Sequence, residues 1–389
     1  MKIWYVVSAR IPTEKAHGYQ IMKMCEAFAK NGIETHLVVP ARHTPVASDA
    51  FSYYGIDPIF DISRVPIIDF LGIWPFRIPF VSFFSYYAVM ALFLLRGRSV
   101  FSRIGPEDAI YVRSPEIAWF FRGDPRLIFE VHELNRIMRW YVRHVGRFSR
   151  MIAVTRHLAE RLVAMGVPSG RVAVAHDAVD PLRFSGVPDR AACRRILGIA
   201  SDVRLVAYVG RLSVHGVDKG VRDAIAAIPA VSASIGPSCL FSFVGGPGED
   251  ISAYRALAAS LGVPSSRCVF TDQVPWNTAP LWMRAADALI IPLPWTAFSA
   301  YETSPLKLFE YMASDTPIVA TDLPSLREIL IDGETAMLVP PGDPSALAAG
   351  IASVILNAEL GRGLAARAAE AVRGMTWRAR ARAVLDAPQ

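Results

Sequence analysis

The chain has 389 residues, 52% of them apolar and 20% charged, with a net charge of +6 and a pI near 9.2. That length predicts two or three domains, each able to bury its own core, and the basic balance suits an anionic partner such as a diphosphate or an acidic lipid surface. No basic run interleaved with aromatics is present, which argues against nucleic acid; the four cysteines (Cys25, Cys193, Cys239, Cys268) are far apart with no CxxC pair, so they read as small buried residues of a reducing compartment, not as a disulfide framework or a zinc site.

Only five apolar residues, Ile3 to Val7, follow Met1-Lys2. The run is too short for a signal peptide and is expected to be a buried strand. An amphipathic helix over Met22–Lys30, closed by Asn31-Gly32, and a strand over Thr35–Val39 complete a βαβ unit, which predicts a doubly wound parallel sheet. The loop Pro12–Gln20 then lies at the carboxyl end of the first strand, the edge where open α/β sheets bind ligands. His17 and Gly18 are the candidates there, set against the plainer reading of a helix-leading loop with an incidental glycine.

From Ile78 to Leu95 eighteen residues carry no charge, and Arg77, Arg96 and Arg98 flank them. The length is borderline for a membrane span. However, Pro79, Ser82, Ser85, Tyr86 and Tyr87 interrupt the run, and it falls inside a βα series. A buried helix or one lying at a membrane interface is expected instead, and the aromatics with flanking arginines favour peripheral membrane contact over 65–96.

Strands follow at Ala109–Val112, leading to Arg113, and at Leu127–Val131, leading to His132-Glu133. A histidine at a strand's carboxyl end, with Glu133 available to orient it, can donate to a ligand hydroxyl or phosphate oxygen. Further on, Arg150–Thr155 is a strand and Arg156–Met165 a helix, before the segment His176-Asp177-Ala178-Val179-Asp180. Arg204–Val209 is a buried strand that delivers Gly210-Arg211, with Lys219 eight residues beyond Arg211. Glycine permits close backbone approach, and the two cations supply charge for an anionic group. Leu240–Val244 ends in Gly245-Gly246-Pro247-Gly248, Val269–Thr271 runs into Asp272-Gln273-Val274, and Ala288–Leu293 is the next strand.

The most informative stretch comes next, Tyr301-Glu302-Thr303-Ser304-Pro305-Leu306-Lys307-Leu308-Phe309-Glu310-Tyr311-Met312-Ala313. Pro305 suits the first turn of a helix that Thr303 or Ser304 can cap. A helix start attracts phosphate, and Glu302 and Glu310 bracket it, able to hold two hydroxyl-bearing parts of one ligand. The plainer alternative is a surface Glu302 and a half-buried Glu310 paired with Lys307.

This stretch, with Pro317-Ile318-Val319-Ala320-Thr321-Asp322-Leu323-Pro324 and Arg327-Glu328-Ile329-Leu330, resembles the signature of retaining glycosyltransferases of family four. The resemblance implies the α/β GT-B fold, two Rossmann-like doubly wound domains facing a central cleft. It places an acceptor domain at 1–180, a nucleotide-sugar domain at 181–372 and a helix at 373–389 returning to the first. By the same resemblance Glu302 faces the donor sugar, and the backbone around Ser304, Pro305 and Leu306 faces the diphosphate. Glu310 takes the ribose, Arg211 and Lys219 the diphosphate beside Gly210, and Val274 borders the base. His132 lies by the transferred sugar and Gly18 near phosphate and acceptor. Asp177-Ala178 stands where the family usually has Asn-Gly. The implied reaction is retaining transfer from a UDP- or GDP-sugar to a lipid-linked or polysaccharide acceptor, without a metal, on the inner face of the cytoplasmic membrane. A sugar-nucleotide epimerase and a non-catalytic, membrane-associated nucleotide-sugar-binding protein are the alternatives.

Overall fold

The computed structural model describes residues 1–70, 79–145, 149–214, 216–236 and 238–386; Arg77, Ile78 and His215 lie outside them. The chain divides into two units, Met1–His176 joined by the stretch from Trp377, and Asp177–Thr376.

In the first unit seven strands form one sheet: β1 (Lys2–Val6), β2 (Glu34–Ala41), β3 (Asp61–Pro66), β4 (Ala109–Val112), β5 (Leu127–Val131), β6 (Arg150–Ala153) and β7 (Val172–Val174). Their order is β3-β2-β1-β4-β5-β6-β7, and every pair is parallel. The inner strands β4 and β5 are buried along their whole length, as expected of continuous apolar runs covered on both faces. Strand order reverses at β1, which has β2 on one side and β4 on the other.

The helix after β1 runs Ala16–Lys30, six residues longer at its start than the periodicity predicts. His17 and Gly18 therefore sit in its first turn and not in a loop. The C-terminal helix Trp377–Leu385 packs against it. The uncharged segment forms the helix Pro79–Arg96. Its later turns bury Val89, Met90, Phe93 and Leu94, while Phe83, Phe84 and Leu95 are more than half exposed. No single helix among the described residues is long and apolar enough to cross a membrane.

The second unit holds β8 (Arg204–Val209), the hairpin β9 (Ser213–Val214) and β10 (Val217–Asp218), then β11 (Cys239–Val244), β12 (Cys268–Thr271), β13 (Ala288–Ile291), β14 (Ile318–Thr321) and β15 (Met337–Val339). The main sheet has the order β12-β11-β8-β13-β14-β15 and is parallel throughout. Helices Val221–Ile235 and Pro344–Leu356 cover one face through Ile225, Ile228, Leu347 and Ile351. Helix Leu306–Met312 covers the other with Leu308, Phe309 and Met312. Here the order reverses at β8, between β11 and β13.

Candidate functional site

In a doubly wound sheet, ligands bind where strand order reverses, outside the carboxyl ends of the strands. In the second unit that edge receives Gly210 from β8 and, from the segment after β13, the Glu302–Glu310 stretch. β8 and β13 pair only as far as Ala207↔Leu289, so toward its end β8 is paired with β11 alone. The Tyr311 hydroxyl fills the gap, accepting from the Val209 N–H at 2.7 Å and donating to the Val209 carbonyl at 3.1 Å. This satisfies a buried backbone pair that the sheet leaves open and fixes the Glu310 helix against β8.

Glu302 ends the short helix Ala297–Tyr301 as its C-cap and is 8% exposed. The following helix is Leu306–Met312, with Pro305 just ahead of it and no side-chain cap. This corrects the expected caps. Pro305 is the capping residue itself, and the Ser304 hydroxyl accepts from the Asp177 N–H at 2.9 Å. Glu310 is half-buried and paired with Arg183, not with Lys307. Arg183 also donates to the Trp276 carbonyl at 2.6 Å, and its guanidinium lies 5.8 Å from the centre of the Trp276 ring. Val274, two residues before, packs half-buried against the core on the same face.

The hairpin β9–β10 carries the chain from Arg211 back to Lys219, whose N–H donates to the Leu212 carbonyl at 3.0 Å. Lys219 Nζ stands 5.3 Å from the centre of the Phe298 ring, in the helix that ends at Glu302, and burial pushes its ammonium below the usual lysine range. Arg211 bends back onto its own hairpin, Nε donating to the Ser213 carbonyl at 3.4 Å. Lys307 reaches the same edge, with Nζ 3.6 Å from the centre of the Tyr208 ring and against Gly210. The structure thus gathers Gly210, Lys219 and Glu302 and adds Lys307, which only the plainer alternative considered, as a partner of Glu310.

In the first unit the reversal at β1 and β4 opens a pocket of about 420 Å³ lined by Ser8, Arg10, Glu14, Lys15, His17, Arg42 and Arg113, among others. Arg10 pairs with Glu14 at 2.5 Å, while its Nε is buried without a hydrogen-bond partner among the described residues. Burial, with Arg113 and Lys15 nearby, drops His17 to about 3, so it is neutral. Gly18 is buried beneath the pocket. A Cβ there would meet the Tyr54 hydroxyl at 2.2 Å and Thr13 Cγ2 at 2.5 Å, and Tyr54 accepts from the Thr13 N–H and donates to its carbonyl. Gly18 therefore has a packing reason to be glycine.

His132 follows β5, and its partner is Glu130, with Nε2 2.6 Å from Oε1, where the sequence reading offered Glu133. Glu133 accepts from Asn135 instead. Glu130 is fully buried inside β5 and also receives the Tyr111 hydroxyl, Gln20 at 3.3 Å and Arg380 at 3.0 Å. Burial pushes its carboxyl up, but Arg380 and His132 outweigh that and hold it at about 2. Burial and Arg113 lower His132 to about 4 against the pull of Glu130. A neutral imidazole facing a carboxylate carries its hydrogen on Nε2, which leaves Nδ1 as an acceptor. The expected donor role is thereby reversed. Glu130 and Arg380 were the residues the sequence reading missed; a carboxylate in mid-strand, in Leu-Ile-Phe-Glu-Val, was the available signal.

Two family models match successive parts of the chain, Glycosyltransferase Family 4 over residues 18–183 and Glycosyl transferases group 1 over 203–357. D-inositol 3-phosphate glycosyltransferase of Geodermatophilus obscurus is 32% identical over 217 residues, 52% of this chain and 47% of the relative. The chain spans about half the length of the curated relatives it matches. Sucrose-phosphate synthase from Thermosynechococcus elongatus superposes with a TM-score of 0.75 at 18% identity, covering 98% of this chain and 96% of that one. Anabaena Alr3699/HepE in complex with UDP-glucose gives 0.71 at 17%, covering 99% and 98%. With two Rossmann-like parallel sheets and both family models matched in order, the chain belongs to glycosyltransferase family 4, the group 1 glycosyl transferases of GT-B fold.

Proposed function

We propose that the chain is a retaining glycosyltransferase that moves a sugar from a UDP- or GDP-sugar to a hydroxyl of a lipid-linked or glycan acceptor. The observation that carries this reading is the convergence of Gly210, Lys219 and the buried Glu302 at the reversal point of the second sheet, with Glu310 one helix beyond. Anabaena Alr3699/HepE, of the same fold, is seen with UDP-glucose, which supports a nucleotide-sugar donor.

In the proposed reaction the bond from the anomeric carbon to the diphosphate oxygen breaks, and negative charge builds on that oxygen. Arg211 and Lys219 meet it. A helix of seven residues offers only a short dipole, so side-chain cations carry more of this work than the N–H groups around Ser304, Pro305 and Leu306. The acceptor hydroxyl attacks on the face the diphosphate leaves, its oxygen bonds to the anomeric carbon, and its proton passes to the departing phosphate. Glu302 accepts from donor-sugar hydroxyls and Glu310 from the ribose, while Val274 borders the base.

The first unit's pocket favours an acceptor that bears phosphate, because Arg10, Lys15, Arg42 and Arg113 line it against Glu14 and against Asp69, which pairs with Arg42 at 3.2 Å. His132, through Nδ1, accepts from a substrate hydroxyl. Lipid contact is supported by a second exposed surface besides the Phe83–Phe84 turn: helix Arg136–Val145 exposes Ile137 and Trp140 among Arg136, Arg139 and Arg143. Apolar side chains rimmed by arginines suit an acidic membrane face.

Thermal stabilisation by a panel of UDP-, GDP-, ADP- and CMP-sugars tests the donor site, because a ligand of the folded state raises the midpoint. One nucleotide class is expected to shift the wild type and to shift Glu310→Ala much less. A panel without any shift would overturn the donor assignment.

A further inference from the structure

Lys307 is the second residue of helix Leu306–Met312, and among the described residues it has no counter-charge of its own. Its Nζ is buried with no hydrogen-bond partner among the described residues. It rests on the face of Tyr208 at 3.6 Å from the ring centre, and the Tyr208 hydroxyl is already committed to the Arg211 carbonyl at 2.6 Å. Nζ also lies 2.9 Å from the place a Cβ would take on Gly210, whose φ of +142° makes a side chain there strained in any case. Glu310, one turn along the helix, is taken by Arg183.

A purely structural side chain at this place has no use for an ammonium. Taking the charge out of water is costly, and one ring face returns only part of that cost; methionine would fill the same volume without it. The surroundings make the charge still less favourable. Burial, then repulsion from Lys219, pushes the ammonium well below the usual lysine range. Lys219 and Lys307 thus approach the Gly210 turn from two different elements, with Arg211 next in the chain. Two cations held near each other beside a close-approach glycine form the complement of a multiply charged anion.

We propose that Lys307 is a third cation for the donor's diphosphate, one that meets its counter-charge only when that group is bound. The inference rests on the donor site assigned above and adds to it a residue and a trade-off: stability of the free protein is given up for affinity toward the diphosphate.

The test uses the full chain, with Lys307→Met and, as a charge-keeping control, Lys307→Arg. Calorimetric affinities are measured for UDP and GDP and for uridine and guanosine, alongside the melting point of each free protein. Lys307→Met is expected to melt no lower than the wild type and to narrow the preference for diphosphate over nucleoside by about tenfold or more, with nucleoside affinity unchanged. Lys307→Arg is expected to retain part of that preference. If the wild type prefers the diphosphate and Lys307→Met keeps the same preference, or if free Lys307→Met melts several degrees lower, the lysine is structural and this inference fails while the donor site stands. If the wild type shows no preference for either diphosphate, the donor reading fails and takes this inference with it.

Discussion

Arg183 donates to Glu310 and, through its other terminal nitrogen, to the Trp276 carbonyl at 2.6 Å, so the second carboxylate of the motif is oriented before any ligand arrives. Arg183 is nearly buried, with 9% of its side chain exposed against 15% for Glu310. The pair also ties the helix to the segment that carries Val274.

Glu310→Gln keeps the shape and removes the charge, whereas Arg183→Met leaves the carboxylate uncompensated. Arg183→Met is expected to cost about 3 kcal/mol of stability in urea unfolding. It should weaken nucleotide binding less than Glu310→Ala does, because in the proposed site Arg183 positions the carboxylate and Glu310 makes the contact. Equal losses of affinity in both would place Arg183 on the ligand itself.

The buried Glu130–Arg380 pair anchors the C-terminal helix to β5. Arg380→Met is expected to destabilise the chain by about 3–5 kcal/mol through the stranded carboxylate. Adding Glu130→Gln should restore part of that loss. A double variant no better than Arg380→Met would mean that packing of the arginine stem, and not the charge, is what the helix needs.

His132 gives a pH signature whose sign follows from its environment. The unfolded imidazole takes a proton near 6.5 and the native one only near 4. Between those values the unfolded chain binds more protons, so stability rises with pH across the window and is complete above it. About 2–3 kcal/mol is expected to disappear as pH falls from 6.5 to 4. His132→Gln should flatten that slope, leaving the share due to His17, which titrates lower still at about 3. Denaturant midpoints measured at half-unit steps of pH read this directly.

Gly18 separates packing from ligand contact. Gly18→Ala drives a methyl into the Tyr54 hydroxyl and is expected to cost about 1–3 kcal/mol, with donor affinity unchanged at a temperature where the variant is folded. Loss of affinity without loss of stability would return the residue to the binding site.

The exposed apolar surfaces make a prediction for lipid. Phe84→Glu with Trp140→Glu is expected to reduce sedimentation with vesicles rich in acidic lipid by tenfold or more and to leave the melting point within a degree or two. Undiminished sedimentation would remove both helices from the membrane contact.

Local pattern carried much of this protein. Continuous apolar runs marked strands such as β1, β4, β5 and β8, because a parallel sheet covered on both faces demands them. The stretch from Glu302 to Ala313, together with Pro317 to Leu330, carried the family. It holds the two glutamates, while the cations Arg211 and Lys219 were marked by Gly210 at the end of β8; all four lie close in sequence to the turns that place them. Element ends were less legible: Ala16–Lys30 starts early because its first turn is held by tertiary packing at Gly18, which periodicity does not register.

The partners of those residues were a different matter. That Glu310 faces Arg183, that Glu130 and not Glu133 orients His132, that Tyr311 closes β8 and that Lys307 lies on Tyr208 all depend on strand order and on which helix covers which face. Apart from Glu130 and His132, which are two residues apart at one strand end, each joins residues that only the fold brings together. The sequence by itself determined most of the inner strands and which motif the chain carries, because those follow from neighbouring residues. Tertiary structure alone decided which charges are compensated, because a buried charge is settled by what the fold packs against it, however far away in the chain that is.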